Sequence, residues 1–312
     1  MTLCSCFLDE VALMPESFYN QITARLSVDG AKIWTTSNPN SPYHWFYKKV
    51  ICRLPELNGL YVHFTMDDNP SLGEDVKERY KSMYSGVWAS RYIKGRWAVA
   101  DGLIYDMFDD SVNIVDEEDI PYEDAVSWRI GVDYGTGNAT TFQLGFIDSV
   151  GVIYVVREYY FAGRKEAQET GDFDSQKTDL EYTDDMRKFI LDNYNLTNLT
   201  YREIPIIVDP AAASFKLQLR RFHMKTKNAI NDVINGIRTV ASLIQTGNLK
   251  VSTSCEHLLK EIHTYQWDST AQERGEDKPL KKNDHCVDAC RYLVMSYMRK
   301  NSLAKAAINV GI

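Results

Sequence analysis

The 312-residue sequence has no apolar run that approaches the roughly 20 residues a membrane-spanning helix requires. Its first ten residues contain no lysine or arginine and end in Asp9 and Glu10, so they do not form a secretory signal peptide. The six cysteines are too few for a disulfide framework in a chain of this size. Cys286 and Cys290 lie near His285, but we expect them as small apolar residues of a helix face and not as zinc ligands. A protein that is neither secreted nor membrane-bound, with reduced thiols, is therefore expected.

The sequence also lacks an excess of positive charge. With 35 basic and 43 acidic residues, its net charge is −8, which argues against a protein that coats DNA without specificity. An enzyme that concentrates acids in a metal site and basic residues elsewhere is compatible with this balance. Of its residues, 44% are hydrophobic and 25% charged, as in ordinary globular domains, so a sizeable core is expected.

Three carboxylates that are far apart in sequence are each placed by a predicted buried element. Asp133 follows the apolar residues 130–132, and Asp209 follows a second apolar run, 204–208. Asp288 lies on a predicted C-terminal helix, where Asp284 and His285 share its face. Because divalent cations such as Mg²⁺ take oxygen ligands, these acids predict a site for Mg²⁺ or Mn²⁺.

Each of these residues also has an ordinary structural interpretation. Asp133 can cap the turn at residues 135–138, and Asp209 can cap the helix that follows it. Asp284 can be the N-cap of the last helix, and His285 can be a half-buried histidine with satisfied hydrogen bonds. The presence of all three acids favours the metal site.

The first hundred residues read as alternating strands and helices. A strand over 4–8 ends in Asp9 and Glu10, the Walker B pattern, and a second strand over 31–35 leads into the polar run Thr35–Asn38. Helices are predicted over 16–26, 43–50 and 70–97, and a strand over 60–65. The sequence has no Gly-x-x-x-x-Gly-Lys-Ser/Thr, so the phosphate-cradling half of a P-loop ATPase is missing. Residues 98–125, with an acidic run at 116–119, read as a connecting segment.

From residue 126 the pattern changes. Strands over 128–133, 140–148 and 151–161 predict an antiparallel meander, and residues 163–178 an exposed loop or hairpin. Further strands are predicted over 204–208 and 249–251, and helices over 183–194, 215–222, 229–245, 256–267 and 284–299. Three antiparallel strands followed by alternating helices and strands is the order of a ribonuclease-H-like domain.

Two basic clusters flank the predicted acids in sequence. A solvated surface is their ordinary interpretation, and contact with DNA phosphates is the functional one. The clusters comprise Lys216, Arg220 and Arg221, and Lys278, Lys281 and Lys282.

Several motifs, taken in their order along the chain, resemble the large terminase subunit of tailed bacteriophages. They are Phe7-Leu-Asp-Glu10, Thr35-Thr-Ser-Asn-Pro39, Gly86-Val-Trp88, Gly95-Arg-Trp97, Gly102-Leu-Ile-Tyr105, Gly131-Val-Asp-Tyr-Gly135, Val208-Asp-Pro210 and Asp284-His-x-x-Asp-Ala-x-Arg-Tyr292. The resemblance covers essentially the whole chain. It implies an α/β fold, in which a ribonuclease-H-like nuclease domain with a mixed sheet flanked by helices follows a partial P-loop-type ATPase segment.

The resemblance divides the chain into the distal part of an ATPase domain (1–97), a linker (98–125) and a nuclease domain (126–312). It implies two-metal hydrolysis of double-stranded DNA, with Asp133, Asp209 and Asp288 as metal ligands and His285 beside them. It also implies that Asp9 and Glu10 match Walker B, while Thr35, Thr36 and Asn38 belong to the motif that couples hydrolysis to movement. Without Walker A, the chain is expected to be a truncated form, a split gene product or a remnant that uses ATP only if another segment supplies that loop.

By the same resemblance, the expected partners are double-stranded DNA, the portal protein and the small terminase subunit, in the cytoplasm of an infected or lysogenic bacterial host. Two alternatives remain at this point. Residues 133–141 resemble the first phosphate loop of actin- and sugar-kinase-like ATPases, although that class needs a second Asp-x-Gly loop. The second alternative is a non-catalytic motor or portal-docking fragment.

Overall fold

The computed structural model describes residues 2–135, 137–163 and 177–308. The predicted exposed loop or hairpin at 163–178 falls almost entirely outside these residues. The chain divides into two compact units. Unit 1 comprises Met1–Ile104 and Gln266–Leu280, and unit 2 comprises Tyr105–Tyr265 and Lys281–Ile312.

The strands of the described residues are β1 (Ser5–Leu8), β2 (Lys32–Thr35), β3 (Ile114–Val115), β4 (Ala125–Asp133), β5 (Thr140–Asp148), β6 (Ile153–Phe161), β7 (Pro205–Val208), β8 (Lys225–Asn228) and β9 (Leu249–Ser252). Their α-helices are α1 (Glu16–Thr23), α2 (Trp45–Lys49), α3 (Glu74–Met83), α4 (Gly86–Trp88), α5 (Asp110–Asn113), α6 (Asp179–Asp192), α7 (Tyr194–Thr197), α8 (Ala213–Arg221), α9 (Val233–Gln245), α10 (Glu256–Thr264), α11 (Ser269–Glu273) and α12 (His285–Ile308).

Unit 1 contains a two-stranded parallel sheet, in which Leu8 at the end of β1 pairs with Thr35 at the end of β2. Leu8, Val11 and Phe46 form the small buried core beside it. The strand predicted over residues 60–65 is wrong: these residues pair with no strand among those described. The apolar side chains of this segment, among them Leu60, are exposed, so the apolar run does not pack against a core.

Unit 2 is built on a seven-stranded mixed sheet with the order β3-β9-β6-β5-β4-β7-β8. The predicted meander is confirmed, because β4 pairs antiparallel with β5 and β5 antiparallel with β6. The outer pairs of the sheet, β4 with β7, β7 with β8, β6 with β9 and β3 with β9, are parallel. β8 was not predicted, since its sequence Lys-Thr-Lys-Asn has no apolar residue, as suits an exposed edge strand.

Helix α12 lies directly against β4 and β5, because glycines remove the side chains that would hold it away. A Cβ atom at Gly131 would overlap the carbonyl oxygen of Ala289 and lie 3.0 Å from the Cβ of Leu293. A Cβ at Gly145 would lie 2.8 Å from the Cδ2 of Leu293. The face of α12 that meets the sheet is buried, and Leu293 is 0% exposed.

The limits of the two units differ from the predicted boundaries. Residues 105–125 belong to unit 2 and not to a linker, since β3 joins the sheet and the buried Asn113 side chain donates to the carbonyls of Ile244 and Leu249. Residues 266–280 belong to unit 1, where the buried Arg91 pairs with Asp277. The helix predicted to reach residue 267 therefore ends at Thr264. Among the described helices, none combines the length and apolar character of a membrane span.

We expect Gly131→Ala to lower the free energy of unfolding by about 3 kcal/mol or more, because its methyl group forces α12 away from β4. Urea denaturation measures this change. Gly137→Ala is the matched control, since a Cβ there has no atom within 4 Å; its effect should stay within about 0.5 kcal/mol. Equal stability of the two variants would contradict the close approach described here.

Candidate functional site

Two of the predicted acids leave neighbouring strands at the same edge of the sheet. Val132 of β4 pairs with Val208 of the parallel strand β7. Asp133 is the last residue of β4, and Asp209 directly follows the end of β7. Because adjacent strands lie about 4.8 Å apart, the fold itself brings these two carboxylates side by side.

Helix α12 reaches both of these acids from one stripe of its surface. His285, Asp288 and Tyr292 are spaced by three and four residues and therefore share a face. The Nδ1 of His285 lies 2.8 Å from Oδ2 of Asp133, and the Tyr292 hydroxyl donates to Oδ2 of Asp209 at 2.7 Å. Burial and this hydrogen bond raise the pKa of the Tyr292 phenol, which stays protonated as a donor.

Asp288, between these two residues, is bound by two cations of the protein itself. Its Oδ1 accepts from Nε and Nη2 of Arg291, at 3.2 and 2.9 Å. Its Oδ2 accepts from the Lys281 ammonium at 3.0 Å, and the same ammonium donates to Oδ2 of Asp284 at 2.8 Å. Partial desolvation of the ammonium lowers the pKa of Lys281, but the charges of Asp288 and Asp284 and the hydrogen bonds to them outweigh this effect, and the pKa is raised.

The electrostatics of Asp133 show that negative charge is crowded here. Burial is the main cause that raises the pKa of the Asp133 carboxyl; the hydrogen bond to His285 lowers this pKa, and the charges of Asp288 and Asp284 raise it. For His285, burial lowers the pKa, but the hydrogen bond and charge of Asp133 raise it more, so the net shift is upward. The site is thus a group of acids, two of them buried (Asp284 and Asp288) and two partly buried (Asp133 and Asp209), in which nearby cations are favourable.

Asp284 and Asp209 also have the structural roles considered for them. The carbonyl of Asp284 accepts from the amide of Asp288 at 3.0 Å, which puts Asp284 at the N-cap position, but its side chain pairs with Lys281 instead of capping. Oδ1 of Asp209 accepts from the amide of Ala211 at 2.6 Å, so this acid both closes its turn and meets Tyr292.

The cap of α12 comes from a residue that sequence reasoning missed. The buried Oε2 of Glu261, on α10, accepts from the amides of Cys286 and Val287 at 2.6 and 3.0 Å. Burial raises the pKa of Glu261 to about 7, against the two amide hydrogen bonds. Its burial was indicated in the sequence only by its spacing with Leu258 and Ile262, which places Glu261 on the buried face of an amphipathic helix.

The N-terminus of α10 is held in the same way by β6. Glu158, whose side chain is 7% exposed, accepts from the amides of His257 and Leu258 at 2.7 and 3.0 Å. A carboxylate of the sheet thus fixes α10, and a carboxylate of α10 fixes the first turn of α12, which carries His285 and Asp288.

The predicted DNA-contacting residues differ in their exposure and in the unit to which they belong. Lys216 is buried, and its ammonium donates to the Pro210 carbonyl at 2.8 Å and to Oδ1 of Asn228 at 2.9 Å, so the predicted DNA contact is corrected to an internal brace behind Asp209. The other predicted residues of unit 2 are exposed: Arg220, Arg221, Lys281 and Lys282. Lys278, in unit 1, forms an ion pair with Glu276.

Within the described ranges, no group of three or more His, Cys, Asp or Glu side chains is close enough to hold a metal ion. The physical reason lies in the hydrogen bonds above. Asp133 is held by His285, Asp209 by Tyr292 and Ala211, and the oxygens of Asp288 by protein cations. A metal ion would have to displace at least one of these partners.

Unit 1 has its own polar cluster at the carboxyl ends of β1 and β2. The Thr36 hydroxyl donates to Asp9, and the amide and side chain of Asn38 donate to the two oxygens of Glu10 at 3.2 and 3.0 Å. Thr35 pairs with Leu8 in the sheet. The predicted acidic pair and the predicted Thr35–Asn38 run are therefore neighbours.

We expect Glu261→Gln to change how stability depends on pH. Because the pKa of Glu261 rises from 4.5 to about 7 on folding, the native state holds its proton more tightly, and wild type loses stability as pH rises through this interval. The glutamine variant should lack this loss, which amounts to at most about 1.4 kcal/mol per pH unit. Thermal unfolding between pH 5 and pH 8 tests it, with Glu256→Gln, an exposed carboxylate of the same helix, as control. Parallel curves for wild type and Glu261→Gln would contradict the buried cap.

Comparison with known proteins places this geometry in a family. Residues 1–99 match a family described as phage terminase large subunit, and residues 170–297 match one described as terminase RNaseH-like domain. None of the curated proteins compared with the chain matches it.

Solved structures of the large terminase from one thermophilic bacteriophage are similar over nearly the whole chain. One crystal form is 47% identical, with a TM-score of 0.84, over 96% of this chain and 70% of that chain. Its complex with ADP is 48% identical, with a TM-score of 0.82, over 94% of this chain and 69% of that one. Its complex with ATP-gamma-S is 47% identical, with a TM-score of 0.82, over 94% and 70%. The chain belongs to the phage terminase large-subunit family, and unit 2 is its RNaseH-like domain.

Proposed function

We propose that this chain is a metal-dependent endonuclease of a viral DNA-packaging motor, which cuts concatemeric double-stranded DNA by two-metal hydrolysis. The observation that carries the proposal is the placement of Asp133 and Asp209 at adjacent strand ends, with Asp288 on the helix whose His285 and Tyr292 contact them. Family membership and the RNaseH-like domain support it.

The chemistry of these side chains fits divalent metal ions. Carboxylate oxygens are the ligands of Mg²⁺ and Mn²⁺, and burial together with the charges of Asp288 and Asp284 raises the pKa of Asp133, so a nearby cation would stabilise its charged form. The Lys281 ammonium between Asp284 and Asp288 stands where a cation is favourable. Asp133, Asp209 and Asp288 would hold two ions, with Asp284 as a further ligand. When bound, the ions would lower the pKa of a water molecule and stabilise the leaving oxygen of the phosphodiester.

The chain's own residues would orient these ligands and move a proton. Tyr292 and Ala211 each hold one oxygen of Asp209, and Arg291 holds Oδ1 of Asp288 from a position 1% exposed. His285 is fixed through Nδ1 by Asp133, which leaves its second ring nitrogen to exchange a proton with the leaving oxygen or the attacking water.

DNA binding would rely on exposed cations of unit 2, namely Arg220, Arg221, Lys281 and Lys282, which provide charge for phosphates without reading sequence. Lys278 of unit 1 would contact DNA in the same way. The portal protein and the small terminase subunit would be the protein partners, in the cytoplasm of an infected or lysogenic bacterial host.

For unit 1 we propose the distal half of an ATPase site. Asp9 and Glu10 would act as Walker B, with Thr35, Thr36 and Asn38 as the residues that sense hydrolysis. The similar large terminase of the thermophilic bacteriophage is solved with ADP and with ATP-gamma-S. ATP would bind the present chain when a Walker A segment is supplied. The actin- or sugar-kinase-like alternative lacks support, because Asp-Pro-Ala-Ala, and not an Asp-x-Gly loop, follows β7 at residue 209.

We expect Mn²⁺ to raise the thermal midpoint of wild type, because bound metal relieves repulsion among the acids; at 100 times its Kd the gain is about 2.7 kcal/mol.

Wild type should nick supercoiled plasmid with Mn²⁺, while Asp133→Asn and Asp209→Asn should lose at least about 100-fold in rate. Glu256→Gln, which removes an exposed carboxylate elsewhere on unit 2, is the control. A wild type that binds Mn²⁺ without nicking would favour the non-catalytic alternative.

We expect Tyr292→Phe to weaken Mn²⁺ binding about 10- to 100-fold, since Oδ2 of Asp209 loses the hydroxyl that orients it while Oδ1 keeps the Ala211 amide. Tyr297→Phe is the matched control on the same helix: Tyr297 is equally buried, but its hydroxyl donates to the backbone carbonyls of Ser127 and Gly145. It should lower stability and leave the metal affinity unchanged. Calorimetric titration measures both, and equal affinities in the two variants would remove the assigned role of Tyr292.

A further inference from the structure

The two cations that bind Asp288 differ in how firmly they are fixed. Arg291 is 1% exposed and takes Oδ1 from the same helix, one turn away. The Arg291 side chain passes Gly236 of α9. A Cβ atom at Gly236 would lie 2.6 Å from Cδ of Arg291, so the glycine leaves room for the Arg291 side chain. Arg291 is therefore a permanent part of the fold.

Lys281 takes the other oxygen, Oδ2, and its side chain is 63% exposed, whereas those of Asp284 and Asp288 are 7% and 9% exposed. It lies outside the helix, in the segment before α12. Asn283 has a left-handed backbone (φ 49°), which asparagine tolerates better than most residues, and this turn allows Lys281 to bond Asp284 three residues on. A long, exposed side chain on a short turn can move away without unfolding its surroundings.

We propose that Lys281 is an internal counterion of the metal site, which occupies Oδ2 of Asp288 until a divalent cation displaces it and which then binds a phosphate of the DNA backbone. This inference rests on the proposed nuclease function and extends it. A lysine suits the role because its ammonium is a compact point charge on a flexible stem, and no bidentate geometry has to be broken. The displaced ammonium stays beside the site, where a phosphate supplies the negative charge it has lost.

The proposal predicts effects of opposite sign. Without DNA, removal of Lys281 removes a competitor, so Mn²⁺ should bind more tightly. With DNA, the same change removes a phosphate contact, so cleavage should slow. A lysine with a purely structural role would not produce this pair, because its loss would loosen the acids and weaken metal binding and cleavage together.

The experiment compares Lys281→Met with Lys260→Met, an exposed lysine of α10 that is assigned no role in DNA binding and carries the same change in charge. Calorimetric titration of the full chain with Mn²⁺, in the absence of DNA, should show Kd lowered about two- to fivefold in Lys281→Met, the effect of losing one exposed ion pair, and unchanged in Lys260→Met. Plasmid nicking at saturating Mn²⁺ should be slower in Lys281→Met than in Lys260→Met. Lys281→Gln, with its polar side chain, repeats the titration if the methionine variant does not fold.

An unchanged or higher Kd for Mn²⁺ in both Lys281 variants, in a protein whose wild type nicks DNA, would overturn the counterion role alone. Tighter Mn²⁺ binding in these variants, together with a wild type that does not nick, would uphold the counterion and count against the nuclease function. Faster nicking by Lys281→Met at saturating metal would overturn the phosphate contact.

Discussion

The close approach of α12 to β4 is the constraint on which the candidate site depends. Gly131 has no side chain, so the backbone of the helix at Ala289 lies against the strand. Only at this distance do short and medium side chains such as His285 and Tyr292 reach the acids at the strand ends. The apolar core beneath, with Ile130, Val132 and Phe142 fully buried, fixes the strand and supplies the free energy that holds the acids together.

Side chains of the protein itself offset the repulsion among these acids. Lys281 and Arg291 share the charge of Asp288, and His285 that of Asp133. Folding therefore produces a site that is electrostatically acceptable without metal, yet whose partners include one exposed side chain. Affinity for a divalent cation then reflects the difference between two sets of bonds and not the attraction of bare carboxylates.

Much of this was accessible from sequence because local patterns report on strands and on the residues that end them. Asp133 and Asp209 were found as acids after apolar runs, and strand 140–148 was predicted with its observed limits. Contacts between residues distant in sequence left no such pattern. Glu261 and Tyr292 read as members of helices, and their bonds to α12 and to Asp209 exist only in the folded sheet.

The same limit explains the errors. Lys216 belongs to a basic run, and the sequence of that run does not indicate that the Lys216 ammonium points inward, to the carbonyl of Pro210. Residues 98–125 show little helical periodicity and contain an acidic run, yet the part from residue 105 belongs to unit 2, where the Asn113 amide donates to two backbone carbonyls. A buried hydrogen bond of one polar side chain can outweigh the composition of a segment, since leaving those carbonyls unpaired is costly.

The paired carboxylate caps link the candidate site to a helix that holds none of the predicted acids. The amides of Cys286 and Val287 depend on Glu261, and α10 in turn depends on Glu158. The first turn of α12 is therefore not an independent helix end, since it loses its cap when α10 detaches from β6. Hydrogen exchange at those two amides thus reports the local stability of α10 as well as that of α12.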